Sequence, residues 1–435
     1  MKPRKIKRID VVSLGCSKNL VDSEKLMAQL RVHGIEVVHD SSEPKGEVVI
    51  INTCGFIGDA KEESIDTILQ FAEAKKEGRV KRLYVMGCLS QRYPEELKEA
   101  IPEVDKFYGK YDWEGIVDEL KLERGKCTCN DRVLTTPKHY AYLKISEGCN
   151  RMCSYCAIPL ITGRYKSRDM EDIISEAQML RDKGVKELQV IAQDLSSYGL
   201  DNYGESRLAE LTQRLTEIEG IEWVRLHYAY PTEFPYDILR VMAENPKVCS
   251  YLDLALQHAS DSMLKKMLRK TTKAEAKALL NEIRSKVPGI HIRTTLITGH
   301  PGETEEDFEE MMDFVREMRF ERLGVFPYSH EEDTYSWRHY KDDIPEEEKQ
   351  RRANMIMELQ SGISTEINQT KVGQVIRVII DREEGDVYVG RSEYDSPEVD
   401  PEVVIETDKE LEIGGFYDVK ITMAEEYDLV GELIE

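Results

Sequence analysis

Cys149-Asn150-Arg151-Met152-Cys153-Ser154-Tyr155-Cys156 sets three thiols at a C-x-x-x-C-x-x-C spacing. Three thiolates this close in sequence can wrap one corner of a cubane cluster and hold three of its four irons, leaving the fourth open to a small molecule. A zinc site would add a fourth Cys or His nearby, and none follows soon after Cys156. His139 is expected instead as a polar residue at the start of a strand. The motif also locates itself in a fold. It follows the apolar run 142–146, and further strand-like runs lie at 187–192, 222–228, 251–256, 291–298 and 322–327. Helical patterns separate them at 170–183, 208–219, 234–244, 273–286 and 305–318. Strand and helix alternating in this way predict a full or partial parallel barrel of about six βα units. The thiol loop then sits at the carboxyl end of its first strand.

The acidic stretch Glu305, Glu306, Asp307, Glu309 and Glu310 is read as a stabilised helix start, because carboxylates there offset exposed amides and the macrodipole. Residues 345–369 read as an exit helix with a capping-type Pro-Glu-Glu-Glu beginning.

Before the barrel, three β-branched runs each end in a cysteine: 11–16 in Cys16, 48–54 in Cys54 and 83–88 in Cys88. Helical segments follow at 23–33, 60–76 and 94–101. Buried strand then helix, repeated, predicts a parallel α/β sheet. Residues just past the ends of parallel strands share the carboxyl edge, where open α/β sheets bind ligands. Cys16, Cys54 and Cys88 should therefore converge as a metal site. Cys127 and Cys129 form an isolated C-x-C in a polar stretch and are assigned to no cluster. Cys249 precedes the fourth barrel strand and is read as ordinary packing.

After the barrel the period changes to short strands at 375–380, 387–391, 403–406, 416–422 and 428–433, which predict a small antiparallel barrel. The fold class is thus α/β multidomain, with parts at 6–130, 138–370 and 371–435. The net charge is −23, of which residues 371–435 carry −13 from 6 basic and 19 acidic residues. Such a balance argues against a simple nucleic-acid binder, which needs clustered Lys and Arg. It would instead attract a Lys- and Arg-rich protein. No apolar run approaches the ~18 residues of a membrane helix, and the basic start lacks the apolar stretch of a signal peptide. The chain reads as cytoplasmic, where nine cysteines favour metal or redox chemistry over disulfides.

The thiol motif, with aromatic Tyr155 just before its last cysteine, resembles the radical S-adenosylmethionine superfamily. The whole chain resembles its methylthiotransferase group: a three-cysteine α/β domain, a radical (βα)6 partial TIM-like barrel and a TRAM-like terminal β-barrel. The stretches 13–24, 52–57, 193–199, 226–231, 256–260 and 299–304 look like the branch that modifies a ribosomal protein. Ser17, Thr162 and Ala255 depart from the family, where Pro, Arg and Pro respectively are usual.

The resemblance implies two 4Fe–4S clusters, one on Cys149, Cys153 and Cys156 and an auxiliary one on Cys16, Cys54 and Cys88. It also implies S-adenosylmethionine, reduced to give a 5′-deoxyadenosyl radical that takes hydrogen from the β-carbon of an aspartate in small-subunit ribosomal protein S-twelve. The auxiliary cluster would supply sulfur, and a second S-adenosylmethionine the methyl group. Tyr155, Gln193, Asp194, Gln257 and His258, at strand ends or in the thiol loop, are the expected cofactor contacts. An electron donor such as flavodoxin or ferredoxin and a sulfur source are further expected partners. The alternative on the same framework is a methylthiotransferase acting on a modified adenosine of tRNA. A two-cluster electron carrier would leave the open irons and the long barrel without a use.

Overall fold

Alternation decides the first sheet. In the run Val48–Thr53 every residue is buried, and successive side chains point to opposite faces. Val48 and Ile50 meet Leu26, Met27 and Leu30 of the helix Ser17–Arg31. Val49 and Ile51 meet Ile68, Phe71 and Ala72 of the helix Gly58–Lys76. A computed structural model describes residues 6–41, 46–124 and 131–434; Cys127 and Cys129 lie outside them. Its first sheet contains β1 (Arg8–Ser13), β2 (Glu36–His39), β3 (Val48–Thr53), β4 (Arg82–Gly87) and β5 (Lys106–Phe107), all parallel, in the order β2-β1-β3-β4-β5. The edge strands β2 and β5 are too short to show a period in the sequence. The first helix begins at Ser17 rather than 23, because its first turn faces a polar site instead of the apolar core.

The second sheet is built from β6 (Tyr140–Lys144). A small hairpin of β7 (Ser146–Glu147) and β8 (Lys166–Ser167) then brackets the thiol loop. The sheet continues with β9 (Glu187–Ile191), β10 (Trp223–Ala229), β11 (Val248–Leu254), β12 (His291–Thr298) and β13 (Arg322–Pro327). Six parallel strands run in the order β13-β12-β11-β10-β9-β6, open between the two ends, so the barrel is partial. Outward residues such as Val190, Leu226 and Leu252 pack on the helices in one core. The helix expected from 234 starts at Asp237, because Pro235 disfavours helical geometry at Phe234. Cys249 lies inside β11 rather than before it, packed with Trp223, Tyr251 and Ile379.

The terminal module comprises β14 (Val375–Glu384), β15 (Val387–Ser392), β16 (Val403–Glu406), β17 (Phe416–Ala424) and β18 (Leu429–Leu433). They close as a barrel in the order β14-β15-β16-β18-β17. Four of its pairings are antiparallel, but β16 pairs β18 in parallel, Val403 beside Leu429. An odd ring of strands cannot alternate direction throughout, so closing five strands requires one parallel pair.

Part of this module's acidity is spent inside the chain. Arg391 reaches Glu187 at 2.8 Å and Asp381 at 2.6 Å. Arg322 reaches Asp395 at 2.9 Å, Arg293 reaches Asp400 at 3.2 Å and His139 meets Asp381 at 2.7 Å. The loop after β15 is also held by Arg225, which donates to the Glu393 carbonyl at 2.6 Å. Tyr140 donates to Glu398 at 3.0 Å. Among the described residues no helix is long and apolar enough to cross a membrane.

Candidate functional site: two facing thiol triads

Cys16 caps the helix Ser17–Arg31, Cys54 follows β3, and Cys88 opens the short helix after β4. Since β1, β3 and β4 are neighbours, the three thiols share one sheet edge. Asn19 joins them. It accepts from the Cys88 thiol at 3.5 Å, donates to the Thr53 carbonyl at 2.9 Å and receives Lys110 Nζ at 3.3 Å. Crowding around exposed Cys16 would raise its thiol, but Lys18, Lys110 and the backbone N–H groups of Asn19 and Lys18 outweigh it and bring it below its usual range. Burial raises the Cys54 thiol and pushes Cys88 up to about 12, with Lys110 opposing at Cys88. Buried thiols beside lysines are a donor set that deprotonates on binding metal. Among the described residues no three such groups converge at single-ion spacing. A cubane takes its thiolates on different irons and so wants a wider triangle.

Gly15 sets how closely β1 approaches. At φ +85 a Cβ there would lie 2.7 Å from Cys54 Cβ and 2.9 Å from its Sγ. Gly15→Ala is therefore expected to destabilise the fold by about 1–3 kcal/mol and to displace Cys54. Denaturation and iron quantification check this; unchanged iron would show that Cys54 tolerates the shift.

Cys149, Cys153 and Cys156 lie between β7 and the helix Ile158–Thr162. Arg151 N–H donates to Cys149 Sγ at 3.3 Å, Arg269 Nη1 to Cys153 Sγ at 3.4 Å, and Tyr230 Oη lies 3.8 Å from Cys153 Sγ. Donors to sulfur are what tunes a thiolate-bound cluster. Burial raises Cys149 to about 11 and Cys156 further, so both thiols need metal to deprotonate. The loop is anchored through Ser154, whose Oγ bonds Ser336 at 2.9 Å and His300 at 3.3 Å. Asn19, Arg269, Tyr230 and Ser336 were invisible in the sequence as site residues, because no spacing links them to the thiols.

The expected cofactor contacts divide. Tyr155 Oη receives Arg269 at 3.4 Å beside Cys153. Asp194 accepts from Ser196 N at 2.9 Å, Ser197 Oγ at 2.6 Å and Arg151 Nε at 2.8 Å, so it ties the end of β9 to the thiol loop. Gln193 is half-buried. Gln257 lies beyond β11 at φ 75, a strained conformation of the kind that clusters at working sites. His258 has no ring nitrogen left for a ligand. Nδ1 accepts from Ala259 and Ser260 at 2.9 and 3.0 Å, and Nε2 meets Glu303 at 3.3 Å. Its place is to brace the turn. Thr162 keeps its hydroxyl on Ile158 at 2.9 Å and offers its carbonyl to Tyr111 at 3.3 Å.

The two thiol-bearing segments adjoin. Cys88 packs in a buried cluster with Ala157 and Ile161, on the stretch that follows Cys156. Ion pairs fasten the two sheets around that contact: Glu331 binds Lys61 at 2.8 Å and Arg92 at 2.6 Å, and Asp22 bridges Lys110 and Lys144.

Residues 8–109 match the Uncharacterized protein family UPF0004, 143–315 the Radical SAM superfamily and 372–434 the TRAM domain. The chain shares its fold with the radical S-adenosylmethionine methyltransferase TsrM from Kitasatospora setae, with a TM-score of 0.56 at 14% identity over 87% of this chain and 79% of that one. Fold and matched domains together define a radical S-adenosylmethionine enzyme. A Porphyromonas gingivalis protein named Ribosomal protein uS12 methylthiotransferase RimO is 59% identical over 430 residues, 98% of this chain and 99% of that protein. Its namesake from Bacteroides thetaiotaomicron is 58% identical over 431 residues, 99% of each chain. The chain belongs to this family and is a radical S-adenosylmethionine methylthiotransferase.

Proposed function

We propose that the chain replaces a hydrogen on the β-carbon of an aspartate in ribosomal protein uS12 by a methylthio group. The observation that supports this is the packing of Cys88 with Ala157 and Ile161, which joins the segment of one thiol triad to the segment that follows the other. In this reading Cys149, Cys153 and Cys156 hold one 4Fe–4S cluster and Cys16, Cys54 and Cys88 the other. When bound, the clusters and S-adenosylmethionine supply the electron, the radical, the sulfur and the methyl group. The chain's residues do the rest. Arg269 and the Arg151 amide set the charge around the Cys149, Cys153 and Cys156 triad; Tyr155, Gln193, Asp194 and Gln257 orient S-adenosylmethionine. A low-potential electron donor such as flavodoxin or ferredoxin and a separate sulfur source would be the chain's further partners. The acidic residues of the terminal barrel not engaged with Arg or His draw in the basic ribosomal protein.

Reconstituted enzyme with reductant and S-adenosylmethionine is expected to place a methylthio adduct on aspartate of uS12, detected by mass spectrometry. An adduct on tRNA alone would overturn the assignment.

A further inference from the structure

We propose that the Lys18 ammonium is the group that recognises the substrate's carboxylate, holding the side chain of the aspartate to be modified; this rests on the protein-aspartate reading above. Of the lysines around the Cys16, Cys54 and Cys88 edge, Lys110 and Lys144 share the two oxygens of Asp22. Lys18 is buried with no carboxylate at salt-bridge distance among the described residues. Its ammonium instead lies over the Tyr228 ring, 3.4 Å from the centroid. Beside the ring and the neighbouring Cys16 sulfur the ammonium has no hydrogen-bonded carboxylate, the counter-charge a largely buried lysine normally takes.

Two features direct it into the barrel. Tyr228 stands at φ 67 where the pairing of β10 with β11 slips between Leu226 and Ala229. For a bulky residue this is strained backbone, and the irregularity turns the ring beneath the ammonium. The charge of Lys18 also acts on His227 and Asp253, which are buried on β10 and β11. Asp253 is already matched by Arg293 at 3.6 Å. An incoming aspartate would complete Lys18 as Asp22 completes its neighbours. The carboxylate carbon is bonded directly to the β-carbon, so anchoring one places the other, next to Cys16.

The test measures binding of fluorescein-labelled uS12 peptides to the reconstituted holoenzyme, with the target residue as Asp or as Asn. Wild type is expected to prefer the Asp peptide by about tenfold or more. Lys18→Gln should lose that preference by weakening the Asp peptide only, and Lys18→Arg should recover part of it. Equal binding of the two peptides by wild type overturns the proposal without any variant. Equal weakening of both by Lys18→Gln also overturns it, showing that Lys18 serves the Cys16 sulfur instead. A wild type that modifies tRNA and not uS12 removes the functional reading itself; one that modifies the Asp peptide without discriminating Asn removes only the role of Lys18.

Discussion

Replacing Cys16, Cys54 and Cys88 together by alanine is expected to remove about four irons per reconstituted chain and to abolish methylthio transfer. The effect is large because no other described cysteine lies at this edge. The remaining described cysteine outside the two triads, Cys249, is sealed inside β11 against Trp223 and Tyr251. The surroundings that favour thiolate at Cys16 are equally local: the helix start at Ser17, with Lys18 and Lys110 close by. Serine at these positions would keep the shape but not the soft ligand. Iron quantification with Mössbauer spectroscopy checks the result. Retention of the wild-type iron content would show that the edge of β1, β3 and β4 holds no cluster. The Cys149 triad draws its donors from Arg151, Arg269 and Tyr230, which do not depend on the first sheet, so its share of the iron should stay.

Arg132→Met is expected to lower stability by about 3–5 kcal/mol, since it takes the paired cation from buried Glu24 and one of three cations from Glu176. Arg132 reaches Glu24 at 3.0 Å, Glu176 at 2.8 Å and the Tyr142 carbonyl at 2.6 Å, with almost no exposed surface. Glu24 also accepts from Thr135 N–H at 2.7 Å. This one guanidinium therefore ties the helix capped by Cys16 to the barrel strand that leads to Cys149. Burial would raise Glu176, but Arg168, Arg132 and Lys25 overcome it and hold the carboxyl at about 2 instead of the usual 4.5. A depressed carboxyl contributes its full stability above its unfolded value and loses it as pH falls through the folded one. Wild type should thus weaken progressively from pH 4.5 toward about 2, and the variant should show a shallower acid dependence. Guanidinium denaturation across that range checks both points. A variant as stable as wild type would mean that the carboxylates find other cations.

Charge was the feature most changed by the fold. Read along the chain, the terminal −13 is a surface property. In the structure Asp381, Asp395 and Asp400 are buried or nearly so against Arg391, Arg322 and Arg293. Asp395 and Asp400 dock the module on the radical barrel through those arginines, and Asp381 does so through His139. Only the remainder, such as exposed Asp408, Glu410 and Glu425, is free to act on a partner. Sequence cannot separate the two groups, because pairing depends on which segments meet, not on composition.

The positions of Cys16, Cys54 and Cys88 were legible because strand alternation and strand ends are local. A buried β-branched run stops where its period stops, and each of the three stands just beyond. The C-x-x-x-C-x-x-C loop was legible because its spacing lies within eight residues. The meeting of Cys88 with Ala157 and Ile161, the bracing of His258, the parallel closure of β16 on β18 and the lack of a paired carboxylate at Lys18 belong to the tertiary structure. Each depends on contacts between distant segments or, for His258, on how a turn folds back on its own ring. Periodicity carries no distance between such groups; only packing decides which charge meets a counter-charge and which is left for a substrate.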